Sequence, residues 1–121
     1  MKTILVDAIN GLILENGTLF QEMYELLETY PNRKIVLTGA KFKLINSPYE
    51  VFTLNHDPEK TDPEYFNTLF KHYNLKSEDV IYFEHNMDAV KSAESVGIKS
   101  YFYDNKKEDL VALKQFVDAN L

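Results

Sequence analysis

Lys2 leads into Thr3-Ile4-Leu5-Val6, an apolar run that ends in one carboxylate, Asp7, and breaks at Asn10-Gly11. A short run this apolar, with no polar alternation, reads as a strand buried within a parallel sheet. In open α/β sheets, chemistry gathers in the loops beyond the carboxyl ends of such strands. Asp7 therefore stands where a functional acid is expected. The same signal recurs at Ile35-Val36-Leu37 before Thr38, at residues 50–54, at Val80–Phe83 before Glu84, and at Lys99–Tyr103.

Helical spacing fills the intervals. Phe20, Met23, Tyr24, Leu27 and Tyr30 recur on one face until Pro31-Asn32 breaks the pattern. Thr61-Asp62-Pro63-Glu64 is a helix start, with Thr61 or Asp62 as cap, and Tyr65, Phe66, Leu69, Phe70 and Tyr73 form the buried face behind it. A third helix runs to Val96 and stops at Gly97, a C-terminal glycine. The mixed charge run 106–109 reads as a solvated start to a closing helix over 108–120, with Leu110, Val111, Leu113, Phe116 and Val117 inward. Residues 12–19 read as a small hairpin, with Asn16-Gly17 supplying the positive φ angles of a two-residue turn. A short helical or irregular piece is expected from Thr38 to Pro48. The fold class that follows is α/β: a five-stranded, mostly parallel sheet with helices on both faces. At 121 residues the expectation is one domain, 1–121, too short to carry a substrate-capping domain as well.

Composition narrows the function. The formal net charge of -6 argues against nucleic-acid backbones and anionic membranes, which need clustered Lys and Arg. With no cysteine, thiolate catalysis, disulfides and Cys-ligated zinc are excluded, and a cytoplasmic location fits. The opening apolar run is too short for a signal peptide, and none approaches membrane-span length. Asp7, Thr38, Lys60 and Glu84 each follow a strand or lie in the loop beyond one. An acid, a hydroxyl, a cation and a second acid on neighbouring loops make a plausible anion and metal site. Each has a structural alternative: strand-end hydrogen bonding for Asp7 and Thr38, a solvated loop for Lys60, and a polar loop and helix cap for Glu84-His85. His56 and His72 have no partner at ligand spacing and read as structural or exposed.

These segments resemble the haloacid dehalogenase (HAD) superfamily, in a capless form, along nearly the whole chain. Asp7-Ala8-Ile9-Asn10-Gly11 is similar to its first motif, Asp-x-Asp, with only the first Asp kept. Thr38 after its strand is similar to the second motif. Lys60-Thr61-Asp62-Pro63-Glu64-Tyr65-Phe66 matches the third closely. Glu84-His85-Asn86-Met87-Asp88, followed by Ala89, Ala93 and Gly97, is similar to the fourth, and residues 12–19 resemble the family's flap.

The resemblance implies phosphoryl transfer. Asp7 would be the nucleophile, Thr38 would hold a phosphoryl oxygen, and Lys60 would neutralise developing charge. Mg²⁺ would be bound weakly, on the order of millimolar, by Asp7, the Ile9 carbonyl and Glu84 or Asp88. Ile9 cannot carry the proton that an acid at this position would, a loss of ~10²–10⁴ in rate. Glu84 extends about 1.5 Å farther than Asp, which strict octahedral Mg²⁺ tolerates poorly. Two readings follow: a hydrolase of reduced or altered activity on a phosphorylated small molecule or phosphoprotein, or a catalytically silent domain that binds one. A response-regulator-like receiver is a third, weaker reading, because residues 50–54 lead to Asn55 rather than a phosphorylatable Asp.

Overall fold

The structure is a computed structural model that describes residues 1–39 and 47–121. In chain order its elements are β1 (Thr3–Asp7), α1 (Gln21–Glu28), β2 (Lys34–Thr38), β3 (Glu50–Thr53), α2 (Glu64–Tyr73), β4 (Val80–Glu84), α3 (Met87–Ser95), β5 (Lys99–Phe102) and α4 (Leu110–Asn120), with a 3-10 turn at Ser77–Asp79 before β4. The strands form one sheet in the order β3-β2-β1-β4-β5, and every pairing is parallel. The expected α/β architecture is present, with the sheet wholly rather than mostly parallel. The piece expected after Thr38 lies largely outside the described residues.

The strands earn this arrangement by burial. β1, β2 and β4 are buried along their whole length, as a strand with helices on both sides requires, whereas edge strands β3 and β5 are partly exposed. Alternate residues feed opposite cores. Ile4, Val6, Val36, Ile81 and Phe83 pack with Met23 and Leu27 of α1 and Leu113 and Val117 of α4. Leu5, Ile35, Leu37 and Tyr82 pack with Tyr65, Phe66 and Leu69 of α2 and Ala93 of α3. Val111, expected inward, is 70% exposed, because only Leu113 and Val117 of α4 fall on the fully buried stripe. Among the described residues no helix is long and apolar enough to cross a membrane.

The helix starts follow short-range chemistry. Asp62 caps α2 by accepting the Glu64 N–H at 3.0 Å, so of the two expected caps the aspartate does the capping. At α3 the cap is Asn86, whose Oδ1 accepts the N–H groups of Asp88 and Ala89. Gly97 ends that helix region at φ +90°.

Residues 12–19 turn back as a minimal hairpin, with the Leu14 N–H donating to the Thr18 carbonyl and the Phe20 N–H to the Leu12 carbonyl. Isolated bridges join Ile13 to Ile9 and to Leu19, and the turn closes by the Gly17 N–H donating to Leu14. Gly17 takes φ 91°, but Asn16 does not go positive, because its Oδ1 accepts the N–H and hydroxyl of Thr18 instead.

Sheet order places the site. The chain runs from β1 outward through β2 to β3, then crosses back to β4 on the other side of β1. The crevice beyond the carboxyl ends of β1 and β4 is therefore the topological switch point, where open α/β sheets bind ligands. The register sets Val6 opposite Phe83, so Asp7 and Glu84 leave the sheet side by side.

Gly11 is tightly seated behind this edge: a Cβ there would stand 2.4 Å from the main-chain oxygen of Asp7 and 2.9 Å from its Cβ. Gly11→Ala is expected to lower stability by about 1–3 kcal/mol, the usual range for overpacking. Urea unfolding checks this, and an unchanged midpoint would contradict it.

Candidate functional site

Asp7 is 1% exposed and Glu84 fully buried, although both are acids. Two buried carboxylates need counter-charge and donors, because an uncompensated buried charge is strongly destabilising. Lys60 supplies both. Its ammonium lies 3.0 Å from Asp7 Oδ1 and 2.6 Å from Glu84 Oε1, with a longer 3.4 Å contact to the Leu37 carbonyl. Lys60 comes from the loop after β3, crosses the end of β2 and fills the gap between β1 and β4.

The remaining oxygens are also taken. Asp7 Oδ2 accepts the main-chain N–H of His85 at 3.0 Å and a short contact from its ring Nδ1. Glu84 Oε1 accepts, besides Lys60, the hydroxyl of Tyr82. Glu84 Oε2 accepts the Asn86 N–H at 3.0 Å and lies 3.2 Å from His85 Nδ1. His85 thus bridges the two acids from the solvent side, while Lys60 bridges them from within.

Charge follows geometry. Burial is the largest influence on Lys60 and would discharge it, but Asp7 and Glu84 outweigh it and hold the ammonium above its ordinary range. Burial pushes Asp7 up, opposed by Lys60 and aided by Glu84. Burial would raise Glu84 too, but contacts with His85, Lys60 and Tyr82 together hold it down at about 2. Hydrogen bonds to Asp7 and then Glu84 push His85 up to about 10 against the effect of its burial.

Thr38 ends β2 beside Asp7, buried, and its carbonyl accepts the Tyr65 hydroxyl at 3.0 Å; that hydroxyl also lies 3.1 Å from the Phe52 carbonyl. So Asp7, Thr38, Lys60 and Glu84 all lie at the carboxyl edge of the sheet. Ile9 is half-buried, bridged to Ile13 and packed on the apolar core. Asp88 is exposed at the start of α3 and is not one of the clustered groups.

One atom each from Asp7, Glu84 and His85 lie within 4.8 Å of one another, close enough to share a cation. This donor set is a poor fit for Mg²⁺. All four carboxylate oxygens already accept protein N–H or O–H groups, and an imidazole occupies a corner where octahedral Mg²⁺ calls for oxygen.

Sequence reasoning did not single out Tyr82, although its place two residues before Glu84 puts both on one face of the strand. It also left His56 unpartnered. Its ring Nδ1 lies 2.8 Å and 2.9 Å from the two carboxylate oxygens of Glu59, three residues on.

No family model and no curated protein matches the chain. Among solved structures, it is similar to an uncharacterized protein from Corynebacterium glutamicum ATCC 13032 Kitasato. The TM-score is 0.68 at 15% identity, covering 98% of this chain and 96% of that one. A likeness at this identity establishes a shared α/β fold and nothing about chemistry.

His85 carries a pH signature. A group whose pKa rises from 6.5 to about 10 on folding stabilises fully below pH 6.5 and loses that contribution as pH climbs through about 10. Wild-type stability is expected to fall more steeply between these limits than that of His85→Gln. Urea midpoints measured across the range check this, and parallel curves would contradict it.

Proposed function

We propose that this chain is a haloacid-dehalogenase-like hydrolase of reduced or altered activity that acts on a phosphorylated compound through Asp7. One observation carries the reading. Two buried acids and a lysine only 14% exposed meet at the switch point of a parallel sheet, an arrangement that packing alone does not call for and that active sites use to set pKa values.

The roles follow from position. Asp7 Oδ attacks phosphorus, the P–O bond to the leaving group breaks, and an aspartyl-phosphate forms. Lys60 neutralises charge developing on the phosphoryl oxygens and keeps Asp7 oriented. Glu84 holds Lys60 in place. Thr38, at the end of β2 beside Asp7, would bind a phosphoryl oxygen. Burial of Asp7 makes its carboxylate more basic and less solvated. The contacts from His85 must loosen for an Asp7 oxygen to reach phosphorus, which favours a slow first step.

A second reading keeps the fold and drops the turnover: a silent domain that binds a phosphorylated small molecule or phosphoprotein. It is favoured by the full engagement of both Asp7 oxygens and by the apolar side chain at Ile9, which carries no proton.

The test is turnover of phosphate monoesters by the wild type and by Asp7→Asn, with folding checked by circular dichroism. Slow turnover that falls to background in Asp7→Asn is expected. Equal turnover by both proteins would remove Asp7 as nucleophile. No wild-type turnover, with orthophosphate binding detected by calorimetry, would select the silent domain.

A further inference from the structure

The reaction above lacks a proton carrier, because Ile9 stands where one is needed. The loop that delivers Lys60 holds another titratable pair. Asn55 and His56 take left-handed φ angles of 54° and 64°, an uncommon conformation for residues other than glycine. The Asp57 N–H donates back to the Leu54 carbonyl, and the Asp62 N–H to Glu59. This folded loop brings His56 and Glu59 against Gly39, the residue after Thr38. A Cβ on Gly39 would stand 3.3 Å from Glu59 Oε2 and 3.4 Å from His56 Nδ1. A Cβ there would be a tight fit, relieved only if the two side chains gave way by a few tenths of an ångström. His56 therefore sits over the end of β2, next to Thr38, and Glu59 is the immediate neighbour of Lys60.

The pair has the form of an oriented acid–base. Glu59 holds His56 Nδ1 from both carboxylate oxygens. Nε2 forms no hydrogen bond among the described residues, and the side chain is 55% exposed. A carboxylate on one ring nitrogen fixes the ring and leaves the other free to transfer a proton. Ile9 cannot do so, and His85 is turned into the acids by its own Nδ1.

We propose that His56, oriented by Glu59, is the general acid and base of this site, in place of the acid missing at Ile9. The inference rests on the reading of Asp7 as nucleophile. As Asp7 Oδ bonds to phosphorus and the ester P–O bond breaks, His56 Nε2 gives its proton to the departing oxygen, releasing an alcohol. Nε2 then takes a proton from water as the water oxygen attacks phosphorus and the Oδ–P bond breaks. Inorganic phosphate leaves, Asp7 is a carboxylate again, and His56 is reprotonated.

Leaving-group dependence tests this, because an alkoxide needs a proton to depart and 4-nitrophenolate does not. His56→Asn is the variant, since asparagine tolerates left-handed φ. The kcat/KM reports the first transfer. For an alkyl phosphate such as β-glycerol phosphate it is expected to fall by ~10²-fold, and for 4-nitrophenyl phosphate by less than ~10-fold, the low end of what general acid catalysis supplies. Equal losses on both esters, or no loss on either, would overturn the proposal. Turnover abolished by Asp7→Asn yet indifferent to His56→Asn would overturn it alone. A wild type that hydrolyses neither ester would overturn it together with the reading of Asp7.

Discussion

The bridge from Lys60 to Asp7 and Glu84 is the interaction on which the carboxyl edge depends. Both acids lie within a sheet covered by helices, where an unpaired charge would be several kcal/mol too costly to keep. The ammonium between them turns two repelling carboxylates into a joined unit. Removing one partner of such a group typically destabilises by about 3–5 kcal/mol, because the rest is left buried without compensation. Lys60 also ties the loop after β3 to β1 and β4.

The surroundings reinforce that bridge from three sides. The Tyr82 hydroxyl meets the same Glu84 oxygen as Lys60, so the carboxylate is clamped from inside the α2–α3 core. The Tyr65 hydroxyl spans the carbonyls of Thr38 and Phe52, holding the ends of β2 and β3 beneath the loop that carries Lys60. From the solvent side, His85 bonds to both acids, so the cluster is balanced by two cations of its own. This balance is why the acids suit an internal ion network better than a magnesium site. Under the proposed function it is also why Asp7 would have to be partly released before attacking phosphorus.

Much of this was legible in the sequence where a signal is local. Apolar runs mark β1, β2 and β4 because the middle of a strand covered on both faces is mostly apolar, and the acid or hydroxyl that ends each run marks the sheet edge. The Asp62-Pro63-Glu64 start of α2 is short-range chemistry of the same kind. Where the signal depends on partners distant in sequence, reading stopped short. The exception is local: at Asn16 two short-range options compete, and the side chain bonds Thr18 two residues on instead of the backbone turning with positive φ. Val111 carries an apolar label that α4's rotation leaves in solvent. The embrace of Asp7 by His85 joins residues 78 positions apart, and it follows only from the register of β1 on β4. The His56–Glu59 pair is close in sequence, but its relevance depends on Gly39, which the fold alone brings beneath it.

In the proposed function, this buried cluster lets Asp7 accept a phosphoryl group. The most direct measurement is a rapid acid quench of the protein with a ³²P-labelled phosphate monoester, followed by peptide mapping. The account predicts label on the peptide that contains Asp7, as an acyl phosphate cleaved by hydroxylamine and absent from Asp7→Asn. Phosphate released at the same rate with no label on that peptide, or label on another residue, would contradict it.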